Sequence, residues 1–130
     1  MWRAVALSLV LGVFAPRPGF GGPLEAYRWK ARPVIVFGSE SNEAFRRQIA
    51  LLFNAAPGLQ ERDMIVIQVE DGNDRHNLHA LYGVPPQTFE VLLVGKDGGV
   101  KFRSHQPLEP EEIFRTVDAM PMRREEMRQR

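Results

Sequence analysis

The chain has 130 residues, 44% of them hydrophobic, with 17 basic against 16 acidic side chains and no cysteine. This length supports one domain with a modest core, and the near-neutral charge argues against a basic nucleic-acid-binding face. Without a thiol there is no thiolate nucleophile, no thiolate metal site and no disulfide, so the core must hold the fold unaided.

At the N-terminus Arg3 precedes an uncharged apolar run, Ala4 to Ala15, followed by the Pro- and Gly-rich PRPGFGGP. The run falls short of the ~20 apolar residues that a bilayer-spanning helix needs. Its length and basic start fit a secretory signal over residues 1–22. The expectation is a periplasmic or secreted protein with one mature domain, 23–130, and no membrane insertion after signal removal. Losing Arg3 and Arg17 lowers the basic count from 17 to 15 against 16 acids, which again disfavours nucleic acid as a partner.

The mature segment opens with Tyr27 and Trp29, expected to cover one edge of the core. PVIVFG, Pro33 to Gly38, is a continuous β-branched run of the kind found in a central strand covered on both faces. Ser41 is a natural N-cap for the helix that follows, and Glu43 suits its first turn. Phe45, Ile49, Leu52 and Phe53 give that helix an apolar face, and Pro57-Gly58 reads as its stop. Met64 to Val69 is a second apolar strand, and a parallel pairing with the first would use the intervening helix as its crossover. A short helix follows with Leu78, Leu81 and Tyr82 expected inward. Phe89–Val94 and Val100–Arg103 then flank an Asp97-Gly98-Gly99 hairpin turn. The last amphipathic helix starts near Pro110, carries Glu111 and Glu112 in its first turn, and aligns Ile113, Phe114, Val117 and Met120. Pro121 should end or kink it, leaving a charged tail at 121–130 in which Glu126 can pair with Arg130.

The resulting order, β-α-β-α-β-β-α, resembles the thioredoxin fold, an α/β three-layer sandwich with a mixed sheet. The match is strengthened by YGV at Tyr82–Val84, by VLLV with KDG at Lys96–Gly98, and by the final amphipathic helix. That resemblance would put the family's two redox cysteines at Ser41 and Ala44. Its cis-proline would fall near Glu90, with Pro85 and Pro86 several residues too early. With thiols and facing proline absent, thiol-disulfide exchange is excluded for this chain. PLEAYRWKARPVIVF, LLVGKDGGVKFR and DAMPMRREEMRQR further resemble a bacterial exported domain-of-unknown-function family, DUF4174, related to thioredoxin-like domains of sushi-repeat extracellular proteins. The family implies a thioredoxin- or peroxiredoxin-like fold in secreted proteins and brings no activity, cofactor or catalytic residue.

Strand-end loops are the usual ligand positions of open α/β sheets, which makes Ser39, Glu40 and Ser41 the first candidates. Their hydroxyls and the helix-start N–H groups could hold an anion, although Glu40 and Glu43 oppose one; turn and cap roles explain the same residues. His76 and His79, three apart near Asp71 and Asp74, lack a third firm ligand for zinc, and a solvated polar helix face accounts for them. His105 stands alone after the hairpin, and no G-x-S-x-G elbow surrounds any serine. Glu90 is unusual between Phe89 and Val91: it is either a buried acid at the former redox site or, by strand alternation, a solvent-facing residue, the reading preferred here. In the tail, Arg123 and Arg124 beside Met120, Met122 and Met127 could form a docking surface.

The sequence thus points to an exported thioredoxin-like module, monomeric or weakly associating. It would bind an unknown protein or an extracellular or envelope component through Ser39, Glu40, Ser41, Glu90, Arg123 and Arg124. No cofactor, metal or catalytic residue is assigned. The alternatives are a cysteine-independent enzyme using Glu90, Glu40 or a histidine as acid or base, and a structural part of a larger envelope assembly.

Overall fold

Every residue of the strand Arg32–Gly38 (β1) is buried, which is why its sequence is an unbroken apolar run rather than an alternation. A computed structural model describes residues 22–130 of the chain; the proposed signal segment therefore lies, but for Gly22, outside the described residues. β1 pairs in parallel with Met64–Glu70 (β2), Val34 opposite Val66 and Phe37 opposite Val69. On its other side it pairs antiparallel with Glu90–Val94 (β3), placing Val36 opposite Val91 and Phe37 opposite Glu90. Val100–Ser104 (β4) closes the hairpin with β3, and the sheet order is β2-β1-β3-β4.

Helices cover both faces of this sheet. Glu43–Asn54 (α1), Ala56–Glu61 (α2) and Pro110–Asp118 (α4) bring Phe45, Leu52, Leu59, Ile113 and Val117 against Val34, Val36, Val91 and Leu93. On the opposite face, Leu78 of Leu78–Tyr82 (α3) and Val84 pack on Ile35, Phe37, Leu92 and Val94. Each such side chain contributes about 1.5–3 kcal/mol when fully buried, so the two clusters replace the missing disulfides as the source of stability. This three-layer mixed sheet is the α/β thioredoxin-like fold that the element order indicates.

Local differences from the sequence reading have local causes. Asn42, not Ser41, caps α1, its side chain accepting from Phe45 N–H at 3.2 Å, because the helix starts one residue later than the serine requires. Pro57 does not stop a helix; it occupies the first turn of α2, where its missing N–H has no intrahelical role. Phe53 and Leu81 face outward, at 60% and 53% exposure, since Leu52 and Leu78 already occupy the inward positions of their helices. Trp29 is also exposed and takes a left-handed backbone, φ 68°, with the Arg28 guanidinium 5.6 Å from its ring, so it does not seal the core edge.

The charged tail is a docked helix, Pro121–Arg128 (α5), with Pro121 in its first turn. Its Glu126 pairs not with Arg130 but with Arg32 and Lys96, while Arg130 reaches the Glu61 carbonyl. Arg123 is 1% exposed: its Nε donates to Asp118 at 3.1 Å and its Nη2 to Glu61 at 3.0 Å. The buried residues Arg32 and Arg123 thus fasten α5 beneath the start of β1.

Candidate functional site

The corner where β1 gives way to α1 is built by a close approach. A Cβ on Gly38 would lie 2.7 Å from the Phe45 ring, so only glycine lets the strand end pack under the first turn of the helix. The chain then turns through Ser39–Ser41, with Asn42 N–H donating to the Ser39 carbonyl at 2.9 Å. The Ser39 and Ser41 hydroxyls bond each other at 2.9 Å and are open to solvent. Arg46 Nη1 folds back to the Glu40 carbonyl at 2.5 Å. The Asn42 side chain takes the Phe45 N–H, one of the helix-start donors that an anion would need, which weakens the anion-site reading of this loop.

Beside the loop lies a groove of about 240 Å³, lined by Glu40, Phe45, Arg46, Ile49, Phe53 and Gln68 among others. Its apolar lining is one flank of α1, from the buried Phe45 through Ile49 to the exposed Phe53 ring at its margin. Glu40 and Arg46 give it one acidic and one basic group. Hydrophobic spacing alone assigned Phe53 to the core, which hid it; its exposure follows from Leu52, next to it, taking the buried position.

Glu90 is buried at 3% exposure, contrary to the solvent-facing expectation, and the hairpin register explains it. Val91 is opposite Ser104 and Leu92 opposite Arg103, so the chain just past β4 brings His105 alongside Glu90. Arg103 Nη1 donates to Glu90 Oε2 at 3.1 Å, and His105 Nε2 lies 3.2 Å from Oε1. Arg103 Nη2 also donates to the Tyr82 carbonyl at 2.5 Å, tying α3 to the hairpin, while burial raises the Tyr82 phenol above its usual range. An acid can be buried when a cation and a second polar group engage its oxygens, as Arg103 and His105 do here. His105 remains open to water, 70% exposed in its side chain, so this pair is a buried acid holding a solvent-facing imidazole. Sequence inspection of Glu90 alone missed both partners because they belong to another strand and its exit loop.

The remaining candidates do not join this corner. His79 Nδ1 is 2.8 Å from the Val84 carbonyl and its ring stands edge-on to Phe37 at 5.0 Å; His76 precedes α3, so the two histidines do not share a helix face. Among the described residues no group of three or more His, Asp or Glu side chains is placed to hold a metal. Arg123 and Arg124 belong to α5, which docks at Arg32, the far end of β1; at about 3.3 Å per residue that strand separates them from Ser39 by roughly 20 Å. Arg124 is exposed, whereas Arg123 is consumed by internal ion pairs.

A four-strand mixed sheet, a helix starting at the end of its central parallel strand and a hairpin returning beside that strand define a thioredoxin-like protein. Solved structures agree at the level of fold. A thioredoxin peroxidase I from Plasmodium yoelii matches at 17% identity and TM-score 0.62, covering 78% of this chain and 79% of that one. A reduced 2-Cys peroxiredoxin from Plasmodium vivax matches at 16% identity and TM-score 0.62, over 80% and 84% of the two chains. A thioredoxin-fold protein from Helicobacter pylori matches at 15% identity and TM-score 0.51, over 68% of each. Within that class the chain belongs to the family described as domain of unknown function DUF4174, whose model matches residues 23–126. Among the described residues no helix is long and apolar enough to cross a membrane.

Proposed function

We propose that this chain is an exported thioredoxin-like module that works by recognition rather than by thiol chemistry, binding another protein or an extracellular or envelope component at the Ser39–Ser41 corner. The observation that carries this reading is the groove beside that corner, with Phe53 exposed at its edge and Glu40 and Arg46 flanking it. An exposed aromatic ringed by one acid and one base is the composition of an interface centre with a polar rim. The positions that resemble the redox pair are Ser41 and Ala44, so the same corner has no sulfur with which to react. Export rests on the basic start and apolar run at Arg3 and Ala4–Ala15. The periplasm or the cell exterior follows as its place of work, as a monomer or weak oligomer.

The test is affinity capture from an envelope fraction using the wild-type chain, Phe53→Ala and a control, Glu111→Lys, on the exposed side of α4. Retention of a specific component by wild type and control, with loss in Phe53→Ala, supports the reading. Equal retention by all three, or none by any, removes it.

A second reading, a cysteine-independent acid–base enzyme, has its own observation in the Glu90–His105 pair, where a buried carboxylate orients an imidazole whose other nitrogen is left for solvent. Turnover of a small molecule that is lost in both Glu90→Gln and His105→Ala would favour it over recognition.

A further inference from the structure

A second groove, of about 420 Å³, lies at the opposite end of the sheet, between the β3–β4 turn and the α4–α5 corner. That volume falls within the ~300–1,000 Å³ of small-molecule sites. Its sides differ in character: Arg32 and Lys101 come from β1 and β4 and Lys96 from the β3–β4 turn, Met120 and Met122 from the start of α5.

The strand side has hydrogen-bond donors left over. Lys96 Nζ uses two of its three hydrogens, on Asp63 at 2.8 Å and Glu126 at 2.7 Å. Lys101 Nζ bonds Asp97 at 2.9 Å, which leaves two. Arg32 is 1% exposed; its Nη1 and Nη2 bond the Arg62 carbonyl and Glu126, but its Nε is buried with no acceptor among the described residues. Asp97, the one acid among the residues lining the groove, has both oxygens engaged, by Gly99 N–H and by Lys101, and those contacts, the Gly99 hydrogen bond foremost, hold it below the usual carboxylate range. α5 begins at this groove with no side-chain cap and no acid in its first turn, so its first-turn N–H groups add further donors. Asp63, Glu126 and Asp97 already match the three cations in charge, so what the site offers an anion is unused donor hydrogens, and what its other side offers is flexible thioether surface suited to an aliphatic body.

We infer that this groove binds a small amphipathic carboxylate, its head group held by Lys96, Lys101 and Arg32 and its aliphatic part lying on Met120 and Met122. The site is separate from the Ser39 corner and does not depend on the recognition role of that corner. Removing Arg32 would unsettle α5 itself, so the variants that test the inference are Lys101→Gln and Met122→Gln, both at partly exposed positions.

The experiment is a titration of the full chain, carrying ¹³C-labelled methionine methyls, with octanoate and with octan-1-ol. Octanoate should shift the Met120 and Met122 signals saturably while leaving Met64, in the core, and Met127, further along α5, in place. Octan-1-ol, and octanoate with Lys101→Gln, should each bind about tenfold more weakly, the worth of one hydrogen bond to a charged group. Met122→Gln should weaken octanoate as well. Absence of a saturable shift at Met120 and Met122, equal binding of acid and alcohol, or indifference to both substitutions would overturn the inference.

Discussion

Arg32, the first residue of β1, and Glu126, in the last helix, form a two-pronged ion pair across 94 positions of sequence, Nη1 and Nη2 donating to Oε1 and Oε2 at 3.3 and 3.1 Å. Arg32 is buried and Lys96 bonds the same carboxylate at 2.7 Å, so this contact, with the Arg123 pairs to Asp118 and Glu61, fastens the charged tail to the fold. Glu126→Ala leaves Arg32 buried without its carboxylate partner, while Lys96 keeps Asp63, and should lower stability by about 3–5 kcal/mol. Urea unfolding followed by circular dichroism measures it; a loss indistinguishable from that of an exposed-site change would mean that α5 is not held in this way.

Acid should loosen the same region. The Arg62 hydrogen bond, helped by Arg123, holds the Asp118 carboxyl below its ordinary value against the opposing effect of burial. At Glu126 burial pushes upward, but Lys96 and Arg32 outweigh it and the net direction is again down. Both groups ionise more readily in the folded chain than in the unfolded one, so their stabilisation is complete above the unfolded carboxylate value of about 4 and is lost as pH falls through the folded values. The melting temperature should therefore hold steady near neutrality and drop in the acid range, less steeply in Glu126→Gln. A drop of the same steepness in that variant would contradict the assignment.

Gly38→Ala tests the packing that forms the Ser39 corner. Its Cβ would meet the Phe45 ring at 2.7 Å, displacing the first turn of α1 at a cost of about 1–3 kcal/mol. Thermal melting reads the loss, and capture of any partner should fall with it. An unchanged melt would show that the helix start has room to spare.

Glu90 and His105 should respond very differently to truncation. Glu90→Leu deletes the buried hub of the cluster and with it both contacts of a charged group, and should destabilise by about 1–3 kcal/mol, water taking over the freed Arg103 and His105, which are partly exposed. His105→Ala removes an exposed ring whose pairing is worth at most about 1 kcal/mol. Equal effects in urea unfolding would mean that the carboxylate is not the centre of this cluster.

These contrasts follow the limits of what a sequence can carry. β1 and the β3–β4 hairpin were legible because covered strands need unbroken apolar runs and tight turns need Asp-Gly, and β2, an edge strand of mostly intermediate burial, because its own residues are β-branched and apolar. The parallel pairing of β1 with β2 followed from the crossover helix between them, whereas its register, Val34 opposite Val66, did not. Glu90 was misread because its burial depends on Arg103 and His105, supplied by register on another strand. Arg123 read as a surface residue for the same reason: Glu61 and Asp118 that neutralise it come from α2 and α4, and no spacing within the tail reveals them. Phe53 and Leu52 are adjacent and equally apolar, and only the docking of α1 decides which of them faces water.

Recognition at the α1 corner is tested most directly by placing a photo-crosslinking phenylalanine analogue at Phe53, and for comparison at Glu111, in cells that make the chain. Irradiation should give a discrete adduct from position 53 and none from position 111. The same adducts from both positions, or none from position 53 while the protein remains folded, would contradict the account.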